Sequence, residues 1–244
     1  MSDVLLYNRV VALNGQAHAA LRIRPIVKYG FAAGVNSLPV LAGEFNECSR
    51  HYPIMFAKMP SGSIVPLVML GLREHENLFV GRDGRWDARY IPAYARRYPF
   101  VAGRGEQDDL VVCIDEEAHC LNTTEGEPLF VNGAPGAALQ HAIRFVEEFQ
   151  GAVPLTEKLC QRIDELGLMR DAESVVKLND GTELRLGGLR MVDEEKLRGA
   201  DAAVQSELFT SGALQMIYLH LHSLGNLALL VDRLSSRMAA AKKH

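Results

Sequence analysis

Cysteine is scarce in this sequence. There are four in 244 residues, Cys48, Cys113, Cys120 and Cys160, and no two are spaced Cys-x-x-Cys. That removes the usual zinc spacing and leaves buried reduced thiols, which suit a reducing compartment. Positive charge is not in excess either. Lys and Arg number 26 against 30 Asp and Glu, a net charge of −4. This argues against a general nucleic-acid binder, whose affinity comes mainly from neutralised phosphates. Uninterrupted apolar runs are missing. The most apolar stretch, 213–231, is broken by Gln215, His220, His222, Ser223 and Asn226 and reads as a poor membrane span. The N-terminus carries Asp3 early and lacks a basic segment followed by an apolar one, so no secretory signal is read and a cytoplasmic location is expected.

Familiar chemical motifs are also missing. There is no phosphate-binding Gly-x-x-x-x-Gly-Lys-Ser/Thr loop, no Gly-x-Gly-x-x-Gly turn and no His-Glu-x-x-His pair. Gly-x-Ser-x-Gly is absent, so a nucleophile elbow has no support. His220 and His222 would stand about 200° apart on a helix and cannot share a metal. No His-x-Asp or His-x-Glu pair starts an iron-binding triad. Neither a metal nor a cofactor is expected on these grounds, although catalytic carboxylates can assemble from distant positions.

What is present is an ordinary globular composition, 48% hydrophobic and 23% charged, and a length that suits one large domain. Residues 4–13 and 18–27 read as strands joined at Asn14-Gly15, a hairpin signal. A short helix is expected over 44–51, ending before Pro53, followed by strands 54–57 and 64–70 and a strand and turn over 77–86. "SRHYPIMFA" (49–57) resembles "ARRYPFVAG" (95–103), and "NLFVGRDG" (77–84) resembles "PLFVNGAPG" (128–136). The Tyr-Pro sites lie 46 residues apart and the Leu-Phe-Val sites 51 apart, which hints at a repeated unit. Helical spacing covers 137–150 and 155–166, with 151–154 between them. A hairpin is expected over 175–192 around Asn179-Asp180-Gly181. Ser211 is placed to cap a long last helix running to about Met238. Leu214, Ile217, Leu221, Leu224, Ala228 and Val231 form its apolar stripe. Gln215, His222, Asn226 and Arg233 fall together on the other side. They read either as a seam satisfied by neighbouring chain or as the polar wall of a pocket.

The most unusual stretch is "RYIPAYARRYPF" (89–100), with three arginines and three tyrosines in twelve residues. Pro92 suits the first turn of a short helix and Pro99 ends it at Tyr98. Arg96 and Arg97 then sit at its C-terminal end, where positive charge meets the negative pole of the helix. Trp86, the only tryptophan, lies just upstream. Two readings stay open: an aromatic corner with arginines stacked on rings, or recognition of an anionic ligand or partner by Trp86, Tyr90, Tyr94, Arg96, Arg97 and Tyr98. Internal carbonyls saturating both guanidinium groups would favour the corner.

Several segments carry a resemblance: "EFNECSRHYPIMF", "LGLREHENLFVGRDGRWDARYIPAYARRYPF", "CIDEE", "EGEPLFVNGAPG" and the final "GALQMIYLHLHSLGNLALL". Together they resemble the bacterial SapC family over about residues 20–232. The family is named for association with a bacterial surface array. The resemblance implies gene neighbours of flavin-dependent tryptophan-halogenase-like, cupin-like and TonB-receptor types. It brings no catalytic residues.

The expectation is a single α+β domain over 1–244, β-rich to about 136 and mainly helical after it, sharing one core. The favoured function is a non-catalytic soluble accessory or binding protein of a peptide- or amino-acid-modifying, nutrient-uptake or surface-layer export system. Its partner would be a peptide or protein, halogenase-like or of a transport system by the resemblance. An enzyme with a pocket lined by Gln215, His222 and Asn226 is the alternative, and an oligomerising structural component a third.

Overall fold

The computed structural model describes residues 5–105, 107–172, 174–177, 181 and 183–241, with only the backbone described for 174–177, 183–186 and 241. The first half runs β1 (Val10–Ala12), β2 (Arg22–Ile23), β3 (Ser37–Pro39), α1 (Phe45–Cys48), β4 (Ile54–Lys58) and β5 (Ile64–Met69). A second short helix, α2 (Ala93–Arg96), leads into β6 (Phe100–Arg104) and β7 (Leu110–Asp115). Small strands β8 (Leu121–Asn122), β9 (Glu127–Pro128), β10 (Phe130–Val131) and β11 (Ala134–Pro135) precede the long helix α3 (Ala137–Glu165). After it come β12 (Met169–Asp171), β13 (Ser174–Lys177), β14 (Glu183–Leu186) and β15 (Leu189–Val192). Four helices close the chain: α4 (Glu194–Arg198), α5 (Ala202–Ser211), α6 (Ala213–Ser223) and α7 (Asn226–Ala241).

This is an α+β fold, β-rich in its first half and largely helical in its second. The main sheet has the order β12-β15-β4-β5-β3 with antiparallel neighbours. The helical half thus contributes two strands to the sheet of the first half. A second sheet has the order β1-β7-β6, and a third β8-β2-β9. The expected opening hairpin does not form, because β1 pairs with β7 and β2 with β8 and β9. Asn14 explains this. Its side-chain oxygen accepts from the Gln16 and Ala17 amides, and its carbonyl accepts from His18, closing helix-like turns instead of a hairpin turn. Over 77–86 a turn replaces the expected strand, with one bridge between Val80 and Trp86. β13 and β14 pair antiparallel as expected, but 189–192, counted into that hairpin, form β15 of the main sheet instead. Val4, Leu178 and the turn at Asn179-Asp180 lie outside the described residues.

The two halves share one main buried cluster, as expected, and a second, smaller cluster accompanies it. The main one gathers Phe45, Tyr52, Phe56, Phe79, Ile163 and Leu230 among others, from both halves of the chain. The second is built on Phe100, Ile114, Leu129, Leu139 and Val146. Helix α3 joins them. Leu139 and Val146 pack in the second cluster, Cys160 and Ile163 in the main one. This joint anchoring keeps α3 continuous through Pro154, where local signals predict a break. Pro154 is exposed, so water can reach the carbonyl that its missing N–H leaves free. Conversely, the single last helix expected from 211 is two helices. Gly212, at φ 81°, separates α5 from α6, and a turn at 224–225 separates α6 from α7. By length and composition the run Ala213–Ala240 would suffice to cross a membrane. Here Ile217, Leu230 and Leu234 lie in the main cluster.

Gly71 marks a place where backbone meets backbone. A Cβ there would lie 2.0 Å from the Glu76 carbonyl oxygen. Glu76 is itself buried, and its carboxylate takes two hydrogen bonds from Arg73, so this loop has little room to yield. Gly71→Ala is expected to lower stability by about 2 kcal/mol, read as a drop in the urea midpoint at constant m-value.

Candidate functional site

Building the site starts with Glu44, a buried carboxylate just before α1. Its Oε1 accepts from the Ala93 amide at 2.7 Å and the Tyr90 hydroxyl at 2.9 Å, and its Oε2 accepts from the Leu41 amide at 3.1 Å. These bonds fix the start of α2 against the main cluster. Burial, reinforced by the Glu44 charge, raises the Tyr90 pKa, so the phenol stays a neutral donor. Trp86 and Tyr90 are tied into the same frame: the indole N–H donates to the Tyr52 hydroxyl at 2.8 Å, and that hydroxyl donates to the Tyr90 carbonyl. After α2 the Tyr98-Pro99 peptide bond is cis. The Tyr98 hydroxyl donates to Asp115, a fully buried carboxylate that also accepts the amides of Asn8, Arg9 and Glu117.

The two arginines of this short helix have different fates. Arg96 is exposed, its Nε donating to the Ile91 carbonyl at 2.9 Å and its Nη2 to the Tyr90 hydroxyl at 3.1 Å. Arg97 is 8% exposed, and its Nε has no hydrogen-bond partner among the described residues. Its guanidinium carbon lies 3.9 Å from the Tyr94 ring centroid and 4.7 Å from that of Phe149. Cation–π contact supplies attraction without supplying an acceptor. Most buried charges in proteins are paired; this one is stacked.

Both arginines line a groove of about 410 Å³. Its other walls are the 23–26 and Tyr29 segment, Tyr98, Phe100, Glu127, and Ala138, His141, Ala142 and Phe145 from one face of α3. The groove sits where the two buried clusters meet, a common place for small-molecule sites. A larger open cleft of about 950 Å³ shares Arg24, Pro25, Ile26 and Tyr98 with it and lies towards Lys28 and Arg82. Those last two cations are exposed.

The C-terminal candidates fall elsewhere. Asn226 donates to the carbonyls of Ser49 and Tyr52, and Arg233 to Asp87 and the Leu78 carbonyl. They form the seam. Gln215 and His222 are exposed, and none of these four lines either cavity. The buried polar residue of that region is His220. Its Nδ1–H donates to the Ile54 carbonyl at 2.7 Å and its Nε2 accepts from the Val192 amide at 3.1 Å. Extending the β4–β15 register sets Ile54 opposite Val192, so the imidazole fills a splayed rung of the main sheet. Among the described residues no group of three or more His, Cys, Asp or Glu is placed to hold a metal. Cys48, Cys113 and Cys160 are buried, and burial raises the Cys160 thiol to about 12.

Sequence reasoning identified both arginines and the ring-stacking tyrosines, but not Glu44 or the groove wall on α3. Glu44 acts across 49 residues on Ala93, and no local spacing announces that. His141 and Phe145 do stand four apart on one helical face, a weak signal.

A family model described as SapC matches residues 13–230. No curated protein and no solved structure matches the chain. With the match spanning most of its length, the chain belongs to the SapC family.

Proposed function

We propose that this chain is a non-catalytic, soluble binding protein whose recognition site is the groove at Arg96 and Arg97. In this reading it works in the cytoplasm, serving a peptide- or amino-acid-modifying, nutrient-uptake or surface-layer export system. It holds an anionic group of its ligand or peptide partner. One observation carries the reading: Arg97 is buried, stacked on rings, without an acceptor for its Nε among the described residues, and lines a groove. Arg233 also stacks on a ring, Phe79, and its Nε also lacks a partner, but its other nitrogens donate to Asp87 and the Leu78 carbonyl. Among the described residues Arg97 makes no such bond to a carbonyl or carboxylate.

Arg97→Met separates binding from architecture. Methionine keeps the apolar stem and a sulfur–ring contact while removing a costly buried charge. Stability should stay within about 1 kcal/mol of the parent. Native mass spectrometry of the chain purified gently from its host should show a non-covalent adduct that Arg97→Met loses. A variant much less stable than the parent, or an adduct retained in it, would overturn the reading.

A further inference from the structure

The groove's charge and shape narrow what it can hold. Of its cations, Arg24 already donates to the His119 carbonyl and faces Glu125 at 3.6 Å. Arg96 is shared between a carbonyl and a hydroxyl. Glu127 adds one negative charge to the wall. With Arg24 set against Glu125, and Glu127 opposing one of the two charges of Arg96 and Arg97, the wall keeps a single net positive charge, which matches one negative charge and disfavours a dianion. Aromatic faces crowd its central carbon at 3.9 and 4.7 Å, so an incoming group meets N–H donors instead of the flat face. A planar carboxylate suits such a fork. Apart from His141 at its edge, the rest of the lining is mainly apolar: Ile23, Ile26, Tyr29, Phe100, Ala142 and Phe145. Phe145 also stacks under Arg96, 5.2 Å from ring centroid to guanidinium carbon, which keeps its ring fixed at the wall. A volume of about 410 Å³ lies in the range of small-molecule sites.

We infer that the ligand is a monocarboxylate with a flat or branched apolar body. Its carboxylate meets Arg97 and its body lies against Tyr29, Phe100 and Phe145. This rests on the binding reading above and adds the chemical class. The charge supplies orientation, and the apolar wall supplies most of the affinity.

The test is titration of the full chain, in mildly alkaline buffer that makes the phosphonate a dianion, with 3-phenylpropionate, its primary amide, 2-phenylethylphosphonate and acetate. Calorimetry and aromatic-region NMR follow binding. The acid should bind saturably and shift the Phe145 and Tyr29 ring signals. The amide should bind at least tenfold more weakly, the dianionic phosphonate more weakly than the acid, and acetate not measurably. Arg97→Met should remove the preference of acid over amide. Arg97→Lys, which keeps the charge but not the fork, should recover only part of it. Equal binding of acid and amide at these rings would overturn the carboxylate and leave the groove as a binding site. Tighter binding of the phosphonate would overturn the single-charge match in the same way. If none of the four probes moves any groove signal at millimolar concentration while the chain remains folded, both the ligand class and the groove's role as a binding site fall.

Discussion

Replacing Glu44 by alanine is expected to cost about 3–5 kcal/mol, the largest single-site loss in this part of the molecule. Three donors lose their acceptor at once: the Leu41 and Ala93 amides and the Tyr90 hydroxyl. Each is a bond to a charged group, worth about 1.5–3 kcal/mol when made. The Ala93 amide is buried, so water cannot simply take over. Glu44→Gln keeps the volume and one acceptor oxygen and should lose about half as much. Urea unfolding of the three proteins measures this directly. Because Glu44 holds the start of α2, any residual folded Glu44→Ala protein should also bind groove ligands more weakly than its stability alone predicts. A loss below about 1 kcal/mol would mean that α2 is held by its apolar contacts and that the carboxylate is incidental.

The second large effect is a pH dependence from His220. Burial lowers its pKa from 6.5 to about 4, in spite of the bond to the Ile54 carbonyl, which favours the protonated ring. Above pH 6.5 the ring is neutral in both the folded and the unfolded chain, and its contribution is complete. Between 6.5 and 4 the unfolded chain takes up a proton that the folded chain refuses, so stability falls with pH. The full loss is about 3 kcal/mol, reached near pH 4. Protonation would also place a second N–H against the Val192 amide, donor facing donor. His220→Gln offers an amide to the Ile54 carbonyl and a carbonyl to the Val192 amide without titrating. It should cost stability at pH 7 but flatten the parent-minus-variant difference between pH 7 and pH 4. Parallel pH profiles for the two proteins would refute the assignment.

How far the sequence spoke depends on whether the interaction was local. The α+β class, strands β4 and β5 and the short helix ahead of Tyr98-Pro99 followed from periodicity and turn chemistry; of the four thiols expected to be buried, Cys120 is only half-buried. The errors came where distant packing, or a competing local bond, outweighed the signal that was read. Pro154 does not stop α3 because Leu139 and Ile163 are held by different clusters. Asn14-Gly15 does not make a hairpin because the Asn14 side chain takes the following amides. The polar side of the last helix was visible as a stripe, yet only partner distances show that Asn226 and Arg233 are spent on the chain itself. Trp86, chosen as a recognition residue for its rarity, hydrogen-bonds Tyr52. The site was half legible. Arg97 stood out by composition, but that no carboxylate among the described residues pairs with it is a property of the folded surroundings.

The two Tyr-Pro segments follow the same plan: a short helix, Tyr-Pro, then two paired strands. In the first, Tyr52 is wholly enclosed and knotted to Trp86; in the second, the residue before Tyr98 is the stacked Arg97 where the first has His51. The first segment is the keel and the second carries the groove. On the binding reading proposed above, changes at 96–97 and along the facing side of α3 can accumulate without disturbing the keel, so members of this family should differ in cargo more readily than in shape.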